Sequence, residues 1–204
     1  MRLLDVEQGT DEWLAARAGR ITASNFGKVL ASGPSGGGES KTRRSYMVQL
    51  LAERLTGLPT NSYANAAMQW GTEHEPQARA MYELLTGDDV VQVGMALLND
   101  DVGASPDGLV RGDGGLEIKC PNTTTHIETI LSGKMPPEHR PQVQGCMYVT
   151  GRDWWDFVSF DPRMPPERQM FVARVARDDE YIAKLAEAVQ EFLRELNELH
   201  GRLA

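Results

Sequence analysis

The sequence predicts an α/β (α+β) fold in which a small mixed central β-sheet is flanked by helices. Two short apolar-alternating runs around a Gly-rich turn, within residues 105–120, predict a β-hairpin at the centre of the chain. An aromatic-rich run at 153–160 and a second short run at 172–175 predict two more strands that pair antiparallel. Helical spacing on both sides of these runs supplies the flanking helices.

The other elements follow from apolar periodicity and from Gly and Pro breaks. A strand is predicted at 90–98, paired next to the central hairpin. The last helix, at about 178–200, repeats apolar residues at helical spacing and is amphipathic. The remaining predicted helices lie within 11–31, where there are two, and at about 45–56, 66–86 and 140–149. Residues 121–131 are predicted as a helix or a loop.

The chain has 204 residues, of which 41% are hydrophobic and 25% charged, and this composition is typical of one globular domain. We therefore predict a single domain over residues 1–204, with a flexible basic loop at about 32–44. The net charge of −8 argues against a protein that coats nucleic acid along its whole surface. It still allows a local basic path for DNA.

Targeting signals are not evident in the sequence. No apolar run is long enough to span a membrane, and the first residues lack the pattern of a signal peptide. The two cysteines, Cys120 and Cys146, do not have the spacing of a zinc or iron–sulfur site. We expect a cytoplasmic protein with free thiols and no membrane partner.

The central hairpin carries three charged side chains that a structural hairpin does not need. Glu117 and Lys119 are two apart on one strand and share a face, whereas Ile118 takes the other. A three-residue turn at 112–114 would place Asp107 opposite Lys119 and diagonal to Glu117. One pair of carboxylates and one ammonium would then converge on a small patch.

Such a patch suits a divalent cation. Two neighbouring carboxylates repel each other unless a cation neutralises them, and Mg²⁺ is bound by one or two carboxylates with waters and phosphates. A lysine beside the ion can polarise a water or hold a phosphate oxygen, which together predict metal-assisted hydrolysis of a phosphodiester. The alternative is a solvated hairpin face with a Glu/Lys pair.

Two stretches before the hairpin are candidates for binding phosphate. Thr22 or Ser24 is a candidate N-cap of a short helix whose free N–H groups suit an anion, and Arg17 adds a fork of donors. A capped helix with a surface arginine is the alternative. The basic cluster Lys41, Arg43 and Arg44 is either an arm that contacts the DNA backbone or a solvated helix start.

Other polar residues are candidates to complete the patch. Glu73 and Glu75 lie about 200° apart on a helix, so at most one of them faces the hairpin. The alternative is an ordinary acidic first turn before Pro76. Gln142 and Gln144 precede a buried stretch, where a glutamine either holds a water or phosphate or makes a structural hydrogen bond.

Seven short pieces of the sequence occur in the order of a known family. The sequence resembles the lambda exonuclease (YqaJ-like viral recombinase) family, within the PD-(D/E)XK nuclease group, over roughly residues 7–180. This resemblance implies a restriction-endonuclease-like core. The pieces are Trp13 with Arg17, Arg20-Ile21-Thr22-Ala23-Ser24, Trp70-Gly71-Thr72-Glu73-His74-Glu75 with Ala78-Arg79, Ser105-Pro106-Asp107-Gly108, Leu116-Glu117-Ile118-Lys119-Cys120-Pro121, Gln142-Val143-Gln144 and Asp161-Pro162-Arg163-Met164.

The resemblance implies a role for each matching residue. Asp107, Glu117 and the backbone carbonyl of Ile118 would bind the metal, and Lys119 would handle the attacking water. Further along this implied site, helical Glu75 would stand near the metal and Gln144 would complete the set. The residues implied for the 5′-phosphate are Arg17, Thr22 and Ser24, and Met68 stands where the apolar wedge that splits the duplex end is expected. The basic cluster Lys41, Arg43 and Arg44 adds further candidates for DNA binding.

The resemblance also implies an activity. The family digests one strand of linear double-stranded DNA from its 5′ end, with one or two Mg²⁺ or Mn²⁺ ions, and leaves a 3′ overhang for phage-type recombination. Relatives form homotrimeric rings and work with a single-strand annealing protein, in the host cytoplasm when phage-encoded. Residues 65–67 lack the basic residue expected at the DNA entrance, and the basic loop differs in length. The alternatives are a structure- or sequence-selective endonuclease and a non-catalytic recombination scaffold.

Overall fold

The structure, a computed structural model, describes residues 1–33, 40–60 and 66–203. Of the flexible loop predicted at about 32–44, residues 34–39 lie outside the described part, as does position 65. The loop prediction is wrong for residues 41–44, which form the first turn of a helix. In chain order the elements are β1 (Arg2–Leu4), α1 (Asp11–Arg17), β2 (Ile21–Thr22), α2 (Phe26–Val29), α3 (Lys41–Thr56), α4 (Ala66–Thr86), β3 (Val90–Val91), β4 (Met95–Leu97), β5 (Val102–Ala104), β6 (Gly108–Val110), β7 (Gly114–Lys119), α5 (Thr123–Ser132), α6 (Arg140–Thr150), β8 (Trp154–Phe160), β9 (Met170–Ala176) and α7 (Asp179–Gly201).

The central hairpin lies in a five-stranded mixed sheet of order β3-β6-β7-β8-β9. Strands β7 and β8 are parallel, and the other neighbouring strands are antiparallel, including β8 with β9 as predicted. The mixed α/β prediction is therefore confirmed.

A second sheet, of order β1-β4-β5-β2, was not predicted, because its strands have only two or three residues each. The prediction of a single strand at 90–98 is wrong, because this segment is divided between the two sheets. Its first part pairs with β6, and its last part belongs to the second sheet. Gly94 lies at the break, where a Cβ atom would stand 1.8 Å from the carbonyl oxygen of Val6. A side chain at this position would collide with the N-terminal segment, so the break between the two sheets requires a glycine here.

The hairpin turn differs from the prediction by one residue. Val110 pairs with Gly114, so the turn is 111–113 instead of 112–114. Continuing this register by one pair places Asp107 across from Glu117. The shift in pairing is two residues, and because side chains alternate with a period of two, Asp107 stays on the predicted face.

The glycines of β7 explain the turn. A Cβ atom at Gly114 would meet the Trp154 ring at 2.1 Å, and one at Gly115 would meet the Trp155 ring at 2.3 Å. Both glycines are therefore needed inside the strand, where two indole rings cover them. The turn uses Arg111 in the left-handed region instead, with a φ of 50°.

Helices cover both faces of the five-stranded sheet. On one face Leu116 and Ile118 of β7 pack with Ala78 and Tyr82 of α4. The Tyr82 hydroxyl donates to buried Asp156 in β8 at 2.8 Å, which fixes α4 on the sheet. Helices α6 and α7 belong to the larger core on the opposite face. Strand β7 is therefore flanked by α4 and α6, and both helices can supply side chains at its end.

The predicted closing helix is confirmed as α7, which begins after the N-cap Asp178. Its buried stripe consists of Ile182, Leu185, Val189, Phe192 and Leu196. Full burial of each such side chain contributes on the order of 1.5–3 kcal/mol. No helix within residues 1–33, 40–60 and 66–203 is long and apolar enough to cross a membrane.

Candidate active site

A cleft of about 1350 Å³ opens where β7 ends, and it brings the predicted patch together. Asp107, Glu117 and Lys119 all line it. The cleft is bounded by the N-terminal segment, α1, α4, the hairpin and the start of α6. The charged face of the hairpin therefore lines a large open cleft.

Glu117 lies at the centre of a tight polar cluster. The Lys119 ammonium is 2.5 Å from Glu117 Oε1, and the Gln142 side-chain amide donates to the same oxygen at 2.5 Å. Only 1% of Glu117 is exposed. Its second oxygen, Oε2, is buried and has no hydrogen-bond partner within the described residues. One lone-pair site of a buried carboxylate is therefore open to a ligand.

Asp107 lies beside this cluster and accepts a hydrogen bond from the backbone N–H of Ile118 at 2.6 Å. Burial raises the pKa of Asp107 well above its usual range, and the Glu117 and Glu75 carboxylates raise it further. The site is thus an acidic cluster whose charges are poorly compensated by the protein.

Of the two helical glutamates, Glu75 is the one that lines the cleft, and Glu73 is exposed. Burial raises the pKa of Glu75, while an ion pair with Arg79 opposes the rise and the Glu117 carboxylate adds to it. Glu75 is therefore the third acidic group near Asp107.

Lys119 is protonated in this arrangement. Burial lowers the pKa of its ammonium, but the Glu117 and Asp107 carboxylates outweigh burial and raise it above the usual value. Lys119 therefore acts as a hydrogen-bond donor and a positive charge toward any group in the cleft.

The acids fit a divalent cation. A cation would satisfy the orphaned Glu117 Oε2 and compensate the unfavourable charge of Asp107. No three His, Cys, Asp or Glu side chains of the described part of the chain form a metal-binding group. Two carboxylates remain as donors, and Mg²⁺ is typically bound by one or two carboxylates with waters and substrate phosphates.

Gln144 does not complete the site, and the prediction that assigned it there is corrected by its contacts. It is buried, donates to the carbonyl of Ala176 at 2.9 Å and accepts from the N–H of Asp178 at 2.9 Å. It therefore closes the junction between β9 and α7. Gln142 takes the active-site position, because residues two apart on a helix point in nearly opposite directions.

We expect the two glutamines to separate in mutagenesis. Gln142→Ala should lower the cleavage rate and change the melting temperature little, since it removes a partner of Glu117 at the cleft. Gln144→Ala should lower stability by about 1–3 kcal/mol because it removes two hydrogen bonds between a buried side chain and part-buried backbone groups. Cleavage assays and thermal melts on both variants check this, and the reverse pattern would restore Gln144 to the site.

The predicted phosphate pocket forms around Arg17. Its guanidinium donates to Ser105 Oγ at 3.0 Å, to Ser24 Oγ at 3.3 Å and to Thr22 Oγ1 at 3.4 Å. It also lies over the Trp13 ring, 4.4 Å from the centroid. Ser105 is two residues before Asp107, so the pocket adjoins the acidic cluster.

The helix predicted to offer its N-terminus to an anion is shorter than expected. Thr22 precedes a single 3₁₀ turn, makes no side-chain cap, and leads into the four-residue α2. Such a short helix has a weak dipole and few free N–H groups. The pocket is therefore built from side chains around Arg17.

Several supporting residues were not found from the sequence. Buried Glu53 accepts from the N–H of Gly19 at 2.8 Å, and Arg54 donates to the Gly19 carbonyl at 2.9 Å. Gly19 has a φ of +71°, which favours glycine. These contacts hold the turn that leads to Thr22. No local sequence pattern signals them, because α3 meets the turn only in the folded chain.

The backbone carbonyls of Pro106 and Asp107 accept hydrogen bonds from side chains that were not predicted from the sequence to have such a role. Arg79 donates to the Asp107 carbonyl at 3.2 Å and pairs with Glu75. The Gln8 amide donates to the carbonyls of Val93 and Pro106, both at 2.8 Å. These bonds place the Asp107 carboxylate relative to β7.

The basic cluster does not line the cleft. Arg43 pairs with Glu195 of α7 through two contacts of 2.6 and 2.9 Å. Lys41 is exposed, and Arg44 lies in a small groove that also includes Glu195. The described contacts therefore tie Arg43 to α7 and not to a DNA path through the cleft. Met68 does line the cleft, with 49% of its surface exposed.

Comparisons with known proteins agree with the fold. Crystal structures of LHK-Exo, an alkaline exonuclease from Laribacter hongkongensis, were found both alone and in complex with dAMP. Each is 47% identical to this chain, covers 95% of it and 96% of the relative, and has a TM-score of 0.87. A phage-related exonuclease from Haemophilus somnus 129PT shares the fold, with 19% identity over 91% of this chain and 96% of its own, and a TM-score of 0.70.

The sequence comparisons point the same way. ExoD of Escherichia coli K12, an uncharacterised protein, is 40% identical over 57 residues. This match spans 28% of the present chain and 64% of ExoD, less than two thirds of that relative. The model of the YqaJ-like viral recombinase domain matches residues 12–153. The chain therefore belongs to the YqaJ-like viral recombinase family.

Proposed function

We propose that this protein is a Mg²⁺-dependent exonuclease that degrades one strand of linear double-stranded DNA from 5′ to 3′. It leaves 3′ overhangs for recombination. The observation that carries the proposal is the convergence of Asp107, Glu117 and Lys119 in one cleft with the Arg17 pocket. The 47% identity to an alkaline exonuclease over nearly the whole chain supports it.

Asp107 and Glu117, with the carbonyl of Ile118, would hold one or two Mg²⁺ or Mn²⁺ ions. A bound ion supplies charge neutralisation and Lewis-acid polarisation of the phosphodiester. Lys119, as an ammonium, donates hydrogen bonds to the attacking water or to a phosphate oxygen and so orients the attack. Gln142 keeps Glu117 in position by bonding the oxygen that also faces Lys119.

The Arg17 pocket would select the 5′ end. A terminal phosphate carries more negative charge than an internal diester, and a guanidinium binds it through several charge-assisted hydrogen bonds. The hydroxyls of Ser24 and Ser105 already lie at hydrogen-bond distance from Arg17 and would add donors. The pocket adjoins the acidic cluster. A 5′ phosphate bound in the pocket would therefore determine which phosphodiester bond lies at the metal ligands.

Arg17→Gln should therefore remove the preference for 5′-phosphorylated ends. We expect kcat/KM on a phosphorylated duplex to fall by about 10- to 100-fold, which corresponds to one charged hydrogen-bonding group. The rate on a 5′-hydroxyl duplex should change little. Competition between the two ends measures the preference, and Arg194→Gln, on the exposed face of α7, is the control. An unchanged preference in Arg17→Gln would contradict the assignment.

Labelled linear duplexes test the polarity. The protein should release label from the 5′ end first, only with Mg²⁺ or Mn²⁺, and should leave a covalently closed circle intact. Cleavage of the circle would instead indicate a structure- or sequence-selective endonuclease. DNA binding without turnover in either metal would indicate a recombination scaffold.

We also propose that the protein acts as a homotrimeric ring around DNA and works with a single-strand annealing protein. The family resemblance suggests both, and a ring agrees with a net charge of −8 because only the channel wall must be positive. The mass in solution should be three times the 22.6 kDa of the chain. A monomeric mass under conditions of full activity would contradict the ring.

A further inference from the structure

One imidazole in the cleft has no role in the site described so far. His139 ends the turn Pro137–His139, directly before α6, and lines the cleft. Its ring stacks on Phe157, with 5.1 Å between ring centroids and 26° between planes. Phe157 is the β8 residue paired with Glu117 in the sheet. The stack therefore holds the imidazole next to the catalytic strand.

The ring nitrogens of His139 have no protein hydrogen-bond partner in the described part of the chain. Neither nitrogen is buried away from solvent. Buried His126 is different. Its Nδ1 meets Ser159 Oγ at 2.7 Å and its Nε2 meets the carbonyl of Arg168 at 2.9 Å. Packing thus fixes the His139 ring at the cleft while its nitrogens are neither buried nor bonded to the described residues, which favours a ligand contact over a structural one.

The charges around His139 determine its form. Burial lowers the pKa of His139, Lys119 lowers it further, and Glu138 opposes the change. A neutral imidazole offers one N–H donor, and the oxygens of a phosphodiester are acceptors. A neutral donor is also compatible with the nearby ammonium, whereas a second cation would be repelled.

We propose that His139 contacts the substrate and donates a hydrogen bond to a phosphate oxygen of the nucleotide being cleaved, on the Phe157 side of Lys119. This inference rests on the proposed nuclease function and adds a residue to it. The hydrogen bond complements Lys119, which approaches the same phosphate from the β7 strand.

Two variants separate the polar role of His139 from its packing. His139→Phe keeps an aromatic ring on Phe157 and removes the N–H, and His139→Gln keeps a donor and removes the stack. We expect His139→Phe to lower kcat about 10-fold with little change in KM or melting temperature, the loss of about one hydrogen bond. His139→Gln should recover part of that loss despite a lower melting temperature. His200→Phe, at the end of α7, is the control.

A second measurement does not require turnover. The protein has four histidines, so long-range ¹⁵N–¹H spectra of the imidazoles are simple, and His139→Phe identifies the signal of interest. Adding a 5′-phosphorylated duplex without divalent ions should shift the His139 signal and leave that of His126 unchanged.

The outcomes are distinguishable. His139→Phe that cleaves at the wild-type rate, or a His139 signal that DNA does not move, overturns this inference and leaves the proposed function standing. Wild-type protein that leaves linear duplex intact in Mg²⁺ overturns both.

Discussion

Replacing Lys119 with alanine is expected to lower kcat on linear duplex by a factor of about 10³, within the range of positioned proton donors and acceptors. The Nζ atom lies 2.5 Å from Glu117 and faces the cleft, where the ammonium can reach a phosphate oxygen or the attacking water. DNA affinity should change by no more than about threefold, since the proposed Arg17 pocket would still hold the 5′ end. Single-turnover cleavage and equilibrium binding without divalent ions measure the two effects.

Two companion variants make the Lys119 result specific. Lys119→Arg keeps a positive charge but replaces a compact ammonium by a planar fork, so it should remain strongly impaired. Lys184→Ala removes an exposed lysine that pairs with Glu180 on α7 and should cleave normally. Retained turnover in Lys119→Ala would contradict the assigned role. Equal losses of binding and rate would make Lys119 a binding residue only.

The charged face of the hairpin could be predicted because alternation along a strand is a local property. Side chains alternate between the two faces of a strand with a period of two, which is enough to predict that Asp107, Glu117 and Lys119 share a face. The register was wrong by two residues, and a shift of two leaves all three on that face. The turn itself was misplaced because Gly114 and Gly115 resemble turn residues. Their real use, to make room for Trp154 and Trp155, depends on a strand 40 residues later in the chain.

Helical residues were harder to assign. For Gln142 and Gln144 the spacing shows only that one faces the site, and the rotation of α6 against the sheet decides which. The supports Glu53 and Arg79 could not be predicted at all. Their partners, Gly19 and Asp107, are 34 and 28 residues away in sequence, and the contacts exist only after α3 and α4 pack.

Asp107→Asn is expected to abolish cleavage and yet to make the metal-free protein more stable. The wild-type carboxylate is buried beside Glu117 and Glu75, and its pKa in the fold is raised above that of the unfolded chain. Folding therefore disfavours the charged form, so metal-free stability falls as pH rises through the folded pKa. The amide keeps an oxygen that can accept the N–H of Ile118 and carries no charge. We expect a rise in melting temperature of a few degrees, as about 1 kcal/mol gives in a chain of this size.

Mg²⁺ should reverse this order. An ion that binds only the folded state raises the melting temperature of wild-type protein by mass action, whereas Asp107→Asn, with half of the acidic pair neutralised, should respond little. Asp113→Asn, an exposed acid in the same hairpin, should behave as wild type with and without Mg²⁺. A metal-free Asp107→Asn protein with a lower melting temperature than wild type would show that Asp107 stabilises the fold and does not bind the ion. A wild-type melting temperature that does not change with Mg²⁺ would lead to the same conclusion. The expected pattern would mean that the charges needed for cleavage lower the stability of the metal-free protein, and that a bound ion restores it.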